Sequence, residues 1–453
     1  MRCNALKSGI FGDIWLLSRI NRSSEKLSAL LCLCVVLFMM IAASASHAQL
    51  RGHGGPVRAL SISADGTTLL SGSFDGSAIQ WSLGRDTASQ VFRFHADAVN
   101  ATALLPDGRA VTAGADGRIA IWTPGKPQPD TVLEGHAAPI ASLAVSPDGT
   151  TLASASWDHT VRLWPLAGGA ARVLEGHTQN VNGVTFSQDG RSVISASYDL
   201  TLRIWPRDAS ASPTVVTLPA PLNAVTAAKN GDLVVSGANG SIYLLDRSGA
   251  LLGDVATGST PIIALSLSSD GTLIAAADIR GSVAIVERAT RELKRRLVGP
   301  GLPVWSVAFM PDSKTLLTGG ADTLVRRWDA QTGEPIGTTI QQTPSDPLAA
   351  FAGDRGAVVF RACIACHTLT PDEGNKAGPT LSGIFGRRIA TLPGYNFSEP
   401  LKKMDIVWTP ETVARLFEIG PTAYTPGTKM PEQIIGSPDD RKALVDFLAR
   451  VTK

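Results

Sequence analysis

Two folds in series are what this 453-residue sequence predicts: a multidomain chain, all-β through most of its length and ending in a small all-α domain. Three observations carry that reading. Tryptophans recur at a fixed interval: Trp81, Trp122, Trp164 and Trp205 are 41, 42 and 41 residues apart, and Trp328 lies 123 further on, three times 41. Each closes a run of short alternating strands divided by turns that contain Gly and Asp. After Gln342 the pattern stops, and the tail carries Cys363, Cys366 and His367 as C-x-x-C-H.

The first 48 residues read as an export signal. Arg19, Arg22 and Lys26 precede an uncharged run, LSALLCLCVVLFMMIAASAS, and the small residues of ASASHAQ come next, which makes Ala48 the expected last residue before cleavage. The uncharged run from Leu27 to Ser46 also matches the ~20 residues of a membrane helix, so the segment is either a cleaved signal peptide or an uncleaved membrane anchor. It holds five basic and two acidic side chains, so that 36 basic and 37 acidic residues remain beyond it. No basic stripe of the kind nucleic-acid binding needs is left. With 44% hydrophobic and 18% charged residues the composition is globular. Of five cysteines, Cys3, Cys32 and Cys34 lie in the signal, and only the C-x-x-C pair lies beyond it. An exported domain stapled by disulfides would hold more, so the pair has another use.

The repeat comes next. GHGGPVRALSISADGTTLLSGSFDGSAIQWSL, GHAAPIASLAVSPDGTTLASASWDHTVRLWPL and GHTQNVNGVTFSQDGRSVISASYDLTLRIWPR align from Gly-His to Trp through strand, DG turn, strand, Asp turn and strand. Leu245 and Val286 hold the two positions where the period continues without Trp, giving seven units. This resembles the WD-repeat family, whose four-stranded blades surround a central channel; the resemblance covers about residues 50–342 and implies a seven-bladed propeller. In that family the turn Asp, the Gly-His histidine and the strand Trp share a buried hydrogen-bond network. The matching positions are Asp75, Asp116, Asp158, Asp199 and Asp322 with His53, His95, His136 and His177. Units five and six have Asn239 and Arg280 in place of Asp and lack the His, as does unit seven. One His per blade spreads around a ring and cannot converge on a metal. The histidines are therefore structural, and the propeller carries no catalytic residue. Ring closure has two candidates, PIGTTIQQ (Pro335 to Gln342) or the short QLRG ahead of His53.

TPSDPL after Gln342 marks a domain break. The expected organisation is 1–48 signal or anchor, 49–342 propeller, 343–352 linker and 353–453 helical domain. A helix over about Asp354 to Ala365 leads into C-x-x-C-H, the spacing of covalent haem attachment. Two thiols add to haem vinyl groups and the imidazole of His367 binds iron. A zinc site needs four ligands, and the domain has no further Cys or His; a thioredoxin-like pair needs a βαβ context that is absent. The second axial ligand must be Met404 or Met430.

The segments TPGTKMPE, AGPTLSGIFGRR, LPGYNF and DIVWTPE resemble those of class I cytochromes c, mitochondrial and bacterial, over about Gly353 to Thr452. The resemblance implies one haem c with Met430 opposite His367. It also implies Pro379 beside the proximal imidazole, Arg387, Tyr395 and Trp408 around the propionates, and Gly356 against Phe447 where the terminal helices meet. Ser437 is expected to cap the last helix. Phe397 and Phe417 stand where mitochondrial members have tyrosines, a change expected to lower the reduction potential modestly. Residues 350–453 hold 13 basic and 11 acidic side chains, so the lysine-rich docking face of many members is not expected.

The function expected is single-electron transfer by an exported c-type cytochrome in a bacterial periplasm, soluble or anchored at the inner membrane. The propeller is its docking scaffold for a redox partner protein. The alternative makes the propeller an oxidoreductase with the cytochrome as its built-in electron acceptor. A third reading is a redox sensor whose propeller changes partner with haem state.

Overall fold

The computed structural model describes residues 49–453 apart from 210, 299–301, 338–347, 362, 365, 371–377, 396, 429 and 431–432. The expected signal or anchor lies outside the described residues. Among those described, no helix is long and apolar enough to cross a membrane.

Seven four-stranded antiparallel sheets form the propeller. In six of them the strands run in chain order, joined by short turns. The first strand of each unit lines the ring's axis: Val57–Ile62 touches Val99–Leu104 on one side and Val304–Phe309 on the other. The fourth strand lies outermost and exposed, as in Thr87–Arg93. The core sits between blades. Leu70, Ala78 and Phe92 of the first pack on Val99, Ala110 and Trp122 of the second, and equivalent clusters repeat round the ring.

The seventh sheet settles closure. Its outer strand is Gln49–Arg51, paired antiparallel with Leu324–Asp329 in the register Gln49↔Arg326, Leu50↔Val325 and Arg51↔Leu324. Pro335 makes only an isolated bridge to Trp328, and the end of PIGTTIQQ lies outside the described residues.

The repeating polar residues form a chain of hydrogen bonds in each of the first four blades. In the fourth, Trp205 Nε1 donates to Ser195 Oγ at 2.8 Å, Ser195 Oγ meets His177 Nε2 at 2.7 Å, and His177 Nδ1 meets Asp199 at 2.8 Å. Asp199 then accepts the backbone N–H of Thr178 and Thr201. Ser71, Thr112 and Ser154 hold the same place in the other three. This hydroxyl, ten residues before Trp, is the member that sequence reasoning missed. In blade five Asn239 caps its turn through Ser241 N and donates to the Tyr243 hydroxyl. In blade six Asp278, two residues ahead of Arg280, accepts Arg280 N and Ser282 N and receives Thr260 Oγ1. In blade seven Asp322 pairs with Arg326 at 2.7 Å. Leu245 and Val286 fill the Trp positions with full burial.

The helical domain has a one-turn 3-10 helix at Ala349–Phe351 and helices at Arg355–Phe360, Glu399–Lys402, Pro410–Ile419, Pro421–Tyr424 and Pro438–Val451. Among the described residues its packing reaches back to Leu348, five residues ahead of the expected boundary, because Leu348 and Phe351 join the core of Phe360, Leu444 and Phe447. Asp354 caps the first helix through Gly356 N and Ala357 N, and Ser437 caps the last through Asp440 N. The first helix stops at Phe360 rather than near Ala365. Cys363 N bonds Phe360 O three residues back, which tightens the chain into turns. A Cβ on Gly356 would lie 2.2 Å from Ala443 O and 2.4 Å from Phe447 Cβ, so the crossing of the terminal helices requires glycine there.

Candidate functional site

The turns after the first helix present the attachment motif. Cys366 N and His367 N both bond Cys363 O, at 3.1 and 2.9 Å, gathering the three side chains on one tight turn. The next loop is fastened to it: Gly378 N donates to Cys366 O at 2.7 Å and Leu381 N to Thr368 O at 2.9 Å. His367 Nδ1 donates to Pro379 O at 2.7 Å, which fixes the tautomer and places the lone pair on Nε2. Gly378 is needed for the same reason: a Cβ there would lie 2.4 Å from His367 Cε1.

A cavity of about 700 Å³ opens in front of this turn. Cys363, Cys366, His367 and Met430 line it, as do Pro379, Arg387, Tyr395 and Trp408, so all eight residues singled out from sequence meet at one place. Met404 is not among its lining residues. Met430 is held by its loop: Gly427 has φ +82°, its carbonyl accepts from Ser398 Oγ at 2.7 Å, and Met430 N donates to Thr428 Oγ1. Arg387 donates to the carbonyls of Thr380 and Ser382, bracing the loop, and burial pulls its pKa down. Trp408 pairs with the same loop through Gly386 N and Arg387 O. Tyr395 packs against Phe397 with ring centroids 4.7 Å apart; burial, with Asp97 and Cys366 nearby, pushes its hydroxyl pKa up. Burial, then the proximity of Cys366, pushes the Cys363 thiol up to about 12.

The far wall of the cavity is the propeller. Arg58, Asn100, Asn182, Asn223 and Trp305, each the second residue of an inner strand, line it together with Phe74. Nothing in the spacing of the repeats identified these residues as part of a site. Their common register was visible, but its facing the tail domain was not.

The donor set suits a c-type haem. A thiol pair and an imidazole share one turn, a thioether faces the same space, Gly378 leaves no side chain between loop and imidazole, and Phe360, Leu381, Leu416 and Phe417 supply an apolar lining. Among the described residues no group of three His, Cys, Asp or Glu forms a rival metal cluster.

Comparison with known proteins agrees. The family described as WD domain, G-beta repeat, matches residues 45–82, 87–123, 127–165, 168–206 and 291–329, leaving out the two units that lack both Asp and His at their motif positions. The cytochrome c family matches residues 353–452. Cytochrome c of Cochliobolus lunatus is 41% identical over 100 residues, 22% of this chain and 92% of that protein. Cytochrome c of Arabidopsis thaliana is also 41% identical over 100 residues, 88% of its length. Cytochrome c2 of Blastochloris viridis is 38% identical over 105 residues, 80% of its length. The chain belongs to the cytochrome c family through its helical domain, which it carries fused behind a seven-bladed propeller of WD repeats.

Proposed function

We propose that this chain is an exported single-electron carrier, with one haem attached through Cys363 and Cys366 and ligated by His367 and Met430, and with the propeller as its docking scaffold for a redox partner protein. The observation that supports it most is the convergence of these four side chains on one cavity from which Met404 is absent. When bound, the haem supplies a one-electron iron couple. The residues of the chain do the rest. Pro379 O holds the Nδ1 proton of His367, orienting the ring and raising the basicity of Nε2. The Met430 thioether, as a ligand, would favour the reduced state relative to a second nitrogen. His367 and Met430 are the residues that would hold the iron, and a haem so held would leave substrate no place to bind and would supply electron transfer. Buried Cys363 and the side chains of Phe360, Leu381, Leu416 and Phe417 give the site an apolar lining.

Export is inferred from Arg19, Arg22 and Lys26 ahead of the uncharged run to Ser46, and a bacterial periplasm is the compartment we infer. A mature chain beginning at Gln49 by intact mass supports cleavage; a chain retaining residues 1–48 and partitioning with membranes supports the anchor.

The decisive test is the reduced spectrum of protein made in a host that attaches c-type haem, with and without carbon monoxide. One covalent haem unmoved by carbon monoxide is expected. A shifted spectrum or a second chromophore overturns the carrier reading and favours a propeller-based oxidoreductase.

A further inference from the structure

The propeller meets the haem cavity with one end of its ring, and with every blade. The second residue of each of the seven inner strands lines the cavity, from Arg58 in blade one to Trp305 in blade seven. So does the turn between the second and third strands: Phe74, Ala115, Trp157, Tyr198, Ala238 and Ile279 hold equivalent places in blades one to six. Blade seven has Ala321 there, and Ala321 and Leu302 belong to the same apolar core as Leu348, Phe351 and Phe360. Positions drawn from the whole ring can border one cavity only where they surround the axis. The helical domain therefore sits over the mouth of the central channel. Its attachment turn faces inward. Cys366 lies close enough to Arg58 for its charge to act on that guanidinium, and Asp97, just ahead of the inner strand of blade two, lies as close to Tyr395. The rim of the cavity reaches solvent, where Ile434 and the Arg388 side chain are each more than half exposed.

A protein partner can take an electron from the site only by bringing its own redox centre close, and the propeller already covers the face of the helical domain that carries Cys366. We propose that the propeller mouth and a redox partner protein compete for that Cys366 face, so that the docked arrangement is closed to proteins and open, through the rim, to small redox molecules. The inference rests on the haem reading above. It divides the propeller's labour: the axial mouth serves the chain's own helical domain, and the outer surfaces are left for recruiting a partner. A protein then reacts only with the undocked fraction, and its apparent rate constant is the intrinsic one multiplied by that fraction. The apolar contact of Leu302 and Ala321 helps to set the fraction. Losing the burial of one leucine-sized side chain should raise it roughly ten- to a hundredfold.

The test uses full-length holoprotein as wild type, Ala321→Trp and Leu302→Ser. Trp157 fills the equivalent turn of blade three, so Ala321→Trp suits the blade and wedges only the contact between domains. Intact mass and the alkaline pyridine spectrum first establish one covalent haem per chain. Absence of that haem from the wild type sinks the haem reading itself, an outcome distinct from any result below. Small-angle X-ray scattering then reads the radius of gyration, and hydrogen exchange reads the turns around Phe74 and Trp157. Stopped flow follows the passage of one electron from the ferrous protein to ferricyanide, or to the cupric centre of a blue-copper protein of higher potential. The expected result in both variants is a larger radius and faster exchange. The rate constant with the copper protein should rise about tenfold or more, and that with ferricyanide should stay the same. Equal copper-protein rate constants in wild type and Ala321→Trp overturn the proposal, whether or not Leu302→Ser folds. A ferricyanide rate constant that rises in step, or a raised copper-protein rate at an unchanged radius, also overturns it, assigning the gain to a disturbed haem site.

Discussion

Gly378 and Phe417 show how little at the residue scale separates a working haem cavity from a damaged one. A methyl group at Gly378 would lie 2.4, 2.7 and 2.8 Å from three atoms of the His367 ring. Gly378→Ala should therefore tilt or displace the imidazole and yield a holoprotein whose reduced spectrum changes on adding carbon monoxide, unlike wild type. Phe417 is buried at 5% exposure where a mitochondrial relative has a tyrosine. Restoring the hydroxyl in Phe417→Tyr should raise the midpoint potential; a redox titration that finds it lowered removes the hypothesis. Gly378 stood in a quoted segment and Phe417 was named by its family position, yet neither reads as directly as the attachment motif. The Cys363, Cys366 and His367 spacing is a chemical necessity and reads directly. Gly378 does not, because only its distance to the imidazole, not its neighbours in the chain, makes glycine obligatory.

Individual blades are elements built around a buried polar chain, and their stability should track its weakest member. Ser195→Ala would leave His177 Nε2 and Trp205 Nε1 unanswered in a blade where both are buried. A loss of about 1–3 kcal/mol is expected, read as a lower denaturation midpoint by circular dichroism. Acid should act on the same chain of bonds. Burial opposes ionisation of Asp116, but hydrogen bonding and charge from His95, with the backbone N–H of Arg118 and Ala96, outweigh it and bring its pKa from 3.8 to about 2. Because the folded value is depressed, this stabilisation is complete above pH 3.8 and is lost as pH falls toward 2. Asp75, Asp158 and Asp199 are shifted in the same direction against the same burial. Melting temperatures measured from pH 5 to 2 should fall through this window, less steeply in Asp116→Asn. The Trp, His and Asp of the chain were readable as a period. The hydroxyl was not, since Ser and Thr are ordinary strand residues and only the fold shows that one of them receives an indole N–H.

At the scale of the whole molecule, the helical domain shares its core with the propeller through Leu302 and Ala321, and the two share one cavity. Neither fact could be read in sequence, because both depend on where one domain comes to rest on the other. Ring closure was half legible: QLRG was one of two candidates, but a strand of three residues is too short for sequence to prefer it. Its weight should nonetheless be large. Leu50 is 2% exposed and packs with Val57, Leu69, Ile79 and Trp81, so Leu50→Ala should cost about 2–5 kcal/mol, read from equilibrium unfolding. A neutral result would return closure to the residues after Pro335. The arrangement also sets a schedule. Gln49–Arg51 is translated ahead of every unit, and its partner Leu324–Asp329 is the last strand of the last one. Until that strand exists the array has two open edges, each offering unpaired N–H and C=O groups to any other chain nearby. The interval between first and last strand is thus the period of greatest exposure to aggregation, and slower synthesis should reduce the yield of folded protein while leaving the finished ring as stable as before.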